Sequence, residues 1–86
     1  MKTKIPEVTF YFKEGCDLCE AVEEELRDFI TRQGDRVPFT FRKADIEDSD
    51  DWFNRYHLKV PVICVDDREV FHYHFDEAKL MEALQC

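Results

Sequence analysis

Hydrophobic and polar positions follow two patterns in the first half of the chain. The five residues from Val8 to Phe12 form a continuous apolar run, which is typical of a strand buried on both faces. After Gly15, apolar residues recur at helical spacing until Gly34 supplies a stop, so we expect a helix over residues 17–33. The apolar positions of this helix are Leu18, Val22, Leu26, Phe29 and Ile30.

A second strand and a short helix follow. Residues 38–46 read PFTFRKADI, where aromatic and polar side chains alternate as they do in a partly exposed strand. Ser49 is a suitable N-cap for a short helix that extends through Tyr56, with acidic residues in its first turn, where the helix dipole favours them.

The last third of the chain predicts a β-hairpin and a final helix. Residues 62–65 form another apolar run, Asp66-Asp67 is a turn signal, and aromatic residues alternate with histidines in the strand predicted over residues 70–75. Asp76 is placed to cap the final helix. The apolar positions of that helix are Ala78, Met81 and Leu84.

These elements predict an α/β fold with the order βαβαββα. A βαβ unit requires a parallel pair of strands, and a hairpin adds an antiparallel pair, so we expect a mixed four-stranded sheet with flanking helices. A chain of 86 residues is in the size range of a single domain, which we place over residues 1–86.

Composition and charge exclude several classes of function. Hydrophobic residues make up 44% of the chain, enough for one packed core although 37% of the residues are charged. The net charge of −8 argues against a nucleic-acid partner, because nucleic-acid binding draws on clustered lysine and arginine. No stretch resembles a membrane span. We therefore expect neither nucleic acid nor membrane as a partner.

The N-terminal region does not resemble a secretory signal. Its apolar run VTFYF is too short and is followed by Lys13 and Glu14, so we expect a cytoplasmic protein with reduced thiols. In that compartment, four cysteines indicate catalysis or metal binding more than a framework of structural disulfides.

Cys16 and Cys19 form the motif that carries chemistry. The pair lies between the first strand and the first turn of the first helix. Cys16 at the helix start would face unpaired N–H groups and the positive end of the dipole, which favour the thiolate. Cys19 lies one turn deeper on nearly the same face, within reach of a mixed disulfide on Cys16. The predicted roles are nucleophile for Cys16 and resolving thiol for Cys19.

A metal site is the main alternative for this motif, because the same spacing serves zinc and iron–sulfur ligation. A second ligand pair is missing from the sequence, since Cys64 stands alone in an apolar strand and Cys86 is the last residue. His72 and His74 would share one face of the last strand, where they could chelate a metal, but such a pair is more often the polar face of an exposed strand. We expect no bound metal.

The chain resembles the glutaredoxins of the thioredoxin fold, in particular the small bacterial glutaredoxin-like proteins. The resemblance rests on Lys13, the Cys16 to Cys19 motif, Val60-Pro61 and the order of elements. It implies that Lys13 helps to hold glutathione, that Pro61 is a cis-proline beside the dithiol, and that Val60 offers its backbone to an extended substrate.

The resemblance extends to the acidic start of the last helix, where Asp76 and Glu77 match the family; we include Asp76 among the substrate-binding residues. The sequence departs from the family at Asp17-Leu18 between the cysteines, at Lys59 and at His74-Phe75.

The expected function is that of a thiol-disulfide oxidoreductase that reduces protein disulfides or glutathione mixed disulfides. We expect a monomer without a bound cofactor, with glutathione as a candidate co-substrate and disulfide-containing proteins as partners. Two alternatives stay open: a metal or iron–sulfur binding module that uses Cys16 and Cys19 as ligands, and a redox-inert interaction module with a thioredoxin fold.

Structural roles are expected for most other conspicuous residues. We interpret the acidic run that includes Glu23 as a solvated helix face, and Trp52 and Tyr56 as packing residues. Cys64 is expected to be a buried, unpaired core residue, and Cys86 a mobile terminal thiol.

Overall fold

A computed structural model describes residues 5–34 and 36–85 of the chain. Its order of strands and helices is the one that the sequence predicts. The elements are β1 (Glu7–Phe12), α1 (Asp17–Gln33), β2 (Thr40–Asp45), α2 (Asp50–Tyr56), β3 (Val62–Val65), β4 (Arg68–His72) and α3 (Glu77–Gln85), with a 3₁₀ turn over Ile46–Asp48. The prediction for Cys86 falls outside the described residues.

The four strands form one mixed sheet in the order β2-β1-β3-β4. β1 pairs in parallel with β2 and antiparallel with β3, and β4 completes the sheet as the antiparallel partner of β3. β1 and β3 are therefore the two central strands. Their central position explains why both are continuous apolar runs, whereas most residues of the edge strands β2 and β4 are partly or fully exposed.

Alternate residues of the central strands enter two separate apolar clusters. Val8, Phe10 and Ile63 pack with α1 and α3 on one face of the sheet. Tyr11 and Val62 pack with α2 on the other face. The period of two along a strand thus distributes one short apolar run between two cores, which is how a small domain covers both faces of its sheet.

The first helix has the predicted bounds, but its N-terminal inner position is taken by a cysteine. Cys19 is buried, whereas Leu18, predicted as an apolar core position, is 45% exposed. One residue rotates the side chain by about 100° around the helix axis, so the stripe that begins at Cys19 turns Leu18 toward solvent. The buried residues of α1 are Cys19, Val22, Leu26 and Phe29.

The hairpin forms around the predicted turn, but its second strand is shifted. Asp66 and Asp67 both have positive φ angles, as a two-residue type I′ turn requires. β4 then runs over Arg68–His72, not over residues 70–75. The prediction that His72 and His74 share a strand face is wrong, because the strand ends at His72 and the next residue has a φ of 70°.

The predictions for α2 and for the core cysteine are confirmed. Ser49 caps α2, accepting a hydrogen bond from the Trp52 N–H at 3.3 Å. Tyr56 is buried against Tyr11, and Cys64 is 1% exposed and forms no disulfide. Among the described residues, no helix has the length and apolarity needed to cross a membrane.

Candidate active site

The two cysteines of the motif begin α1. Gly15, which precedes them, has a φ of 74°, a left-handed conformation that side chains with a Cβ rarely adopt. The turn at Gly15 completes the connection between β1 and α1. Cys16 follows it with extended backbone angles as the N-cap of the helix. The Cys16 Sγ accepts a hydrogen bond from the Cys19 N–H at 3.1 Å. A backbone donor at the helix start therefore points at the sulfur, as the sequence analysis expected for a stabilised thiolate.

Cys16 and Cys19 are joined by a disulfide bond, with their Cα atoms 5.2 Å apart. Their exposure differs. Cys19 is 3% exposed and belongs to the apolar core between the sheet and α1, whereas Cys16 is only partly buried at the edge of that core. A substrate that approaches from solvent therefore meets the Cys16 sulfur first.

A shallow cleft of about 300 Å³ opens beside the disulfide. Lys13 contributes an exposed cation to it, and Phe12 contributes an aromatic wall. The remaining lining residues are Glu14, Gly15, Cys16, Cys19, Glu20 and Glu23. The structure thus brings Lys13 and the two cysteines together, but in surroundings where carboxylates outnumber the lysine.

Glu23 in the lining of this cleft forms two ion pairs and is not a simple solvated side chain. Its Oε2 accepts hydrogen bonds from Lys43 on β2 at 2.9 Å and from Arg27 on α1 at 2.8 Å. The Lys43 hydrogen bond, together with Arg27, holds the pKa of Glu23 below its ordinary value. Lys43 also lies over the Phe12 ring, 4.9 Å from its centroid. These noncovalent contacts therefore connect α1 to β2 at the wall of the cleft.

Val60 and Pro61 lie at the same end of the sheet as the disulfide, outside the lining of the cleft. Tyr11 pairs with Val62, so extending the antiparallel register by one residue sets Pro61 opposite Phe12, the last residue of β1. The peptide bond between Val60 and Pro61 is cis. Within the described part of the chain, the backbone N–H and C=O of Val60 have no hydrogen-bond partner.

Asp76 lies in a different place from the other predicted site residues. It caps α3, with its Oδ1 accepting from the Lys79 N–H at 3.0 Å. It lines a second cleft, of about 360 Å³, together with β4 residues and His74. The structure therefore gives Asp76 a capping role and does not bring it into the cleft beside the disulfide.

Comparison with known proteins identifies the family. A family model described as "Glutaredoxin-like domain (DUF836)" matches residues 7–85. The chain belongs to this family. The resemblance inferred from Lys13, the cysteine motif and Val60-Pro61 is thereby confirmed for the domain as a whole.

One relative by sequence and two solved structures are similar to this chain. A glutaredoxin-like protein of Dictyostelium discoideum, the YDR286C homolog, is 28% identical over 80 residues, covering 91% of this chain and 74% of the relative. The solution structure of protein Ne2328 from Nitrosomonas europaea matches with a TM-score of 0.74 at 24% identity, covering 95% of this chain and 94% of that one. Oxidized mitochondrial thioredoxin 3 from Saccharomyces cerevisiae matches with a TM-score of 0.66 at 15% identity, covering 93% and 76%. The predicted thioredoxin fold is confirmed.

Cys64 of this glutaredoxin-like domain is a poor candidate for redox chemistry. Burial raises the pKa of its thiol, which disfavours the thiolate form. Its sulfur lies 3.8 Å from the Tyr56 hydroxyl, on the sheet face opposite Cys19. In residues 5–34 and 36–85, no three side chains of His, Cys, Asp or Glu converge on a point that would hold a metal ion.

The sequence did not indicate a role for Tyr73, which lies near Val60 and Pro61. Tyr73 was expected in a regular strand, but it has a φ of 70° and contacts the segment that precedes β3. The sequence departs from the glutaredoxins at the adjacent His74-Phe75, but no periodic pattern there indicated an unusual backbone.

Proposed function

We propose that this glutaredoxin-like domain is a thiol-disulfide oxidoreductase that reduces disulfides in proteins and mixed disulfides with glutathione. The observation that carries the proposal is the unequal placement of two bonded sulfurs, with Cys16 capping a helix at the surface and Cys19 buried beneath it. A nucleophile must be accessible and ionised, whereas a resolving thiol must reach only its neighbour.

In the proposed reaction, two electrons pass from the reduced pair to the substrate. The Cys16 thiolate attacks one sulfur of the substrate disulfide, and the other sulfur leaves as a thiolate that takes a proton from water. Cys19 loses its proton and attacks the Cys16 sulfur of the mixed disulfide. The second substrate thiol is then released, and the Cys16–Cys19 disulfide seen in the structure is the oxidised product. An external thiol reductant, for which glutathione is the candidate, restores the dithiol.

Lys13 and Val60 have supporting roles in this proposal. The Lys13 ammonium lines the cleft beside Cys16, where it would attract an anionic group of glutathione and stabilise the attacking thiolate. Val60, with its unpaired backbone groups before Pro61, would accept an extended substrate as an added strand does.

Serine variants of the two cysteines test the assignment. Cys16→Ser should abolish both disulfide reduction and mixed-disulfide formation, because the accessible sulfur is lost. Cys19→Ser should trap mixed disulfides on Cys16 and retain turnover of glutathionylated substrates. Cys64→Ser is the matched control and should keep the redox activity of the wild type. The measurements are a coupled reduction assay and mass spectrometry of the trapped adducts.

The metal-binding alternative makes the opposite prediction. Cys16 and Cys19 would then be equivalent ligands, so both serine variants would lower the metal content of the purified protein to a similar degree. Equal trapping by the two variants would also contradict the nucleophile and resolver roles.

A further inference from the structure

Tyr73 holds the segment that precedes β3 through two hydrogen bonds. Its phenolic hydroxyl donates to the Leu58 carbonyl oxygen at 2.6 Å. Its backbone N–H donates to the Pro61 carbonyl oxygen at 2.9 Å. These bonds lie on either side of Lys59 and Val60, so a single residue fixes both ends of the stretch that contains the unpaired Val60 backbone.

The conformation of Tyr73 is unfavourable for its residue type. A φ of 70° is rare for a residue with a bulky side chain, and such conformations persist only where the surrounding structure imposes them. Tyr73 is 40% exposed, and its ring packs edge to face against the His72 ring, with the two ring centroids 4.6 Å apart. The His74 N–H donates to the His72 carbonyl oxygen at 2.8 Å and closes a three-residue turn around Tyr73, to which the positive φ belongs. Core packing does not hold Tyr73 in this turn, whereas the two bonds to residues 58–61 do.

The segment held by Tyr73 lies beside the disulfide end of the sheet. Val62 pairs with Tyr11 and with His72, so the start of β3 lies between the end of β1 and the end of β4. Cys16 follows β1 by four residues, and Tyr73 directly follows β4. A polypeptide bound along Val60 would thus have Cys16 on one side and Tyr73 on the other.

A second contact restrains the same segment. The Lys59 ammonium pairs with a Glu69 carboxylate oxygen at 2.9 Å, and this contact is the main cause that keeps the pKa of Glu69 below its ordinary value. Glu69 also contacts the His72 ring at 3.0 Å. The side chain of Lys59 is therefore directed toward β4 and away from the Val60 backbone.

We propose that Tyr73 is a positioning residue that orients the Val60 main chain to receive an extended polypeptide segment next to the disulfide being reduced. This inference rests on the proposed oxidoreductase function and adds its preferred substrate class, which is polypeptide disulfides. A small disulfide without flanking peptide bonds has no backbone to pair with Val60, so it gains nothing from the Tyr73 contacts.

Tyr73→Phe tests this role by removing one hydroxyl. The probes are a synthetic disulfide-linked peptide with extended flanks and bis(2-hydroxyethyl) disulfide. For the peptide, we expect kcat/KM to fall about fivefold through a higher KM, the size expected for the loss of one ordering hydrogen bond. For the small disulfide, kcat/KM should not change. Tyr56→Phe, which removes a buried hydroxyl on α2, is the matched control and should leave the ratio of the two activities unchanged.

A second variant separates positioning from folding. Tyr73→Gly removes the hydroxyl and the ring while it suits the positive φ, so it should retain a cooperative thermal unfolding transition and still lose the preference for the peptide. Equal losses for both substrates, or an unchanged ratio in both Tyr73 variants, would overturn the positioning role. Failure of the oxidoreductase function would appear instead in the wild-type protein, which would reduce neither probe, and the Tyr73 proposal would fall with it.

Discussion

At the scale of single residues, the reactivity of the candidate site depends on charges within the first turn of α1. The Cys16 sulfur accepts a hydrogen bond from the Cys19 N–H and lies at the positive end of the helix dipole, and both features favour its thiolate. Asp17 follows directly and is exposed. Its negative charge acts in the opposite direction on the sulfur, although it suits the helix dipole.

Replacing Asp17 by Asn should therefore lower the pKa of the Cys16 thiol in the reduced protein. The change removes one negative charge beside a developing thiolate and keeps the shape of the side chain. The measurement is the ultraviolet absorbance of the thiolate as a function of pH. Glu25→Gln, an exposed carboxylate two turns further along the same helix, is the control and should leave the titration in place. An unchanged or higher pKa in Asp17→Asn would mean that the carboxylate does not oppose the thiolate.

At the scale of elements, the Glu23 ion pairs connect α1 to the edge strand β2. α1 holds Glu23 and Arg27, and β2 supplies Lys43, whose ammonium also covers the Phe12 ring. The Glu23 side chain is only 22% exposed, whereas Asp28 and Asp51, which also form ion pairs within helices, are 68% and 74% exposed. Solvent and salt therefore screen the ion pairs of Glu23 less. The contact fixes the wall of the cleft in which Cys16 lies.

Glu23→Gln should lower the free energy of unfolding at neutral pH by about 1 kcal/mol or less. Because the pKa of Glu23 is lowered in the folded protein, its contribution is full above the ordinary value of 4.5 and is lost as the pH falls through the folded-state pKa. The difference between wild type and variant should thus shrink in acid. Urea unfolding followed at neutral and acidic pH measures it.

Asp51→Asn is the matched control for this prediction. It removes an ion pair with Arg55 on α2, in which the Asp51 side chain is 74% exposed. Its effect at neutral pH should be smaller than that of Glu23→Gln. A Glu23→Gln effect that is constant across the pH range would show that the ionised carboxylate is not the cause.

At the scale of the whole molecule, the net charge of −8 bears on partner choice. Glu23 in the lining of the cleft is paired with Lys43 and Arg27, which leaves Glu14 and Glu20 opposite the cation of Lys13. The negative field at the site therefore comes mainly from the charge of the whole molecule. A field of one sign around a site raises the association rate of oppositely charged partners and is weakened by salt. We therefore expect positively charged protein segments to be favoured as substrates of the proposed reaction.

A lysine-rich peptide disulfide should be reduced faster than a glutamate-rich one of equal length. We expect a difference of about tenfold in kcat/KM at low ionic strength, caused by faster association, and a smaller difference as salt is added. A neutral peptide serves as the control and should give an intermediate, nearly salt-independent value. Equal rates for the three peptides at low salt would contradict electrostatic selection.

Local patterns in the sequence were sufficient to predict the elements of this fold. The apolar runs of β1 and β3, the helical repeat of α1 and the Asp66-Asp67 turn all act within a few residues, where backbone geometry determines which side chains share a face. The cysteine motif is equally local, because one helical turn is enough to separate a partly exposed sulfur from a buried one.

Contacts between distant parts of the chain decided the rest. Tyr73 bonds to Leu58 across 15 residues, and Lys43 to Glu23 across 20. Neither the positive φ of Tyr73 nor the ion pairs of Glu23 leave a periodic signal in the sequence, since each depends on which strands become neighbours. The sequence by itself determined the elements and the reactive pair, whereas only the tertiary structure determined the surroundings of that pair, because packing, and not local propensity, brings the ends of β1, β3 and β4 together.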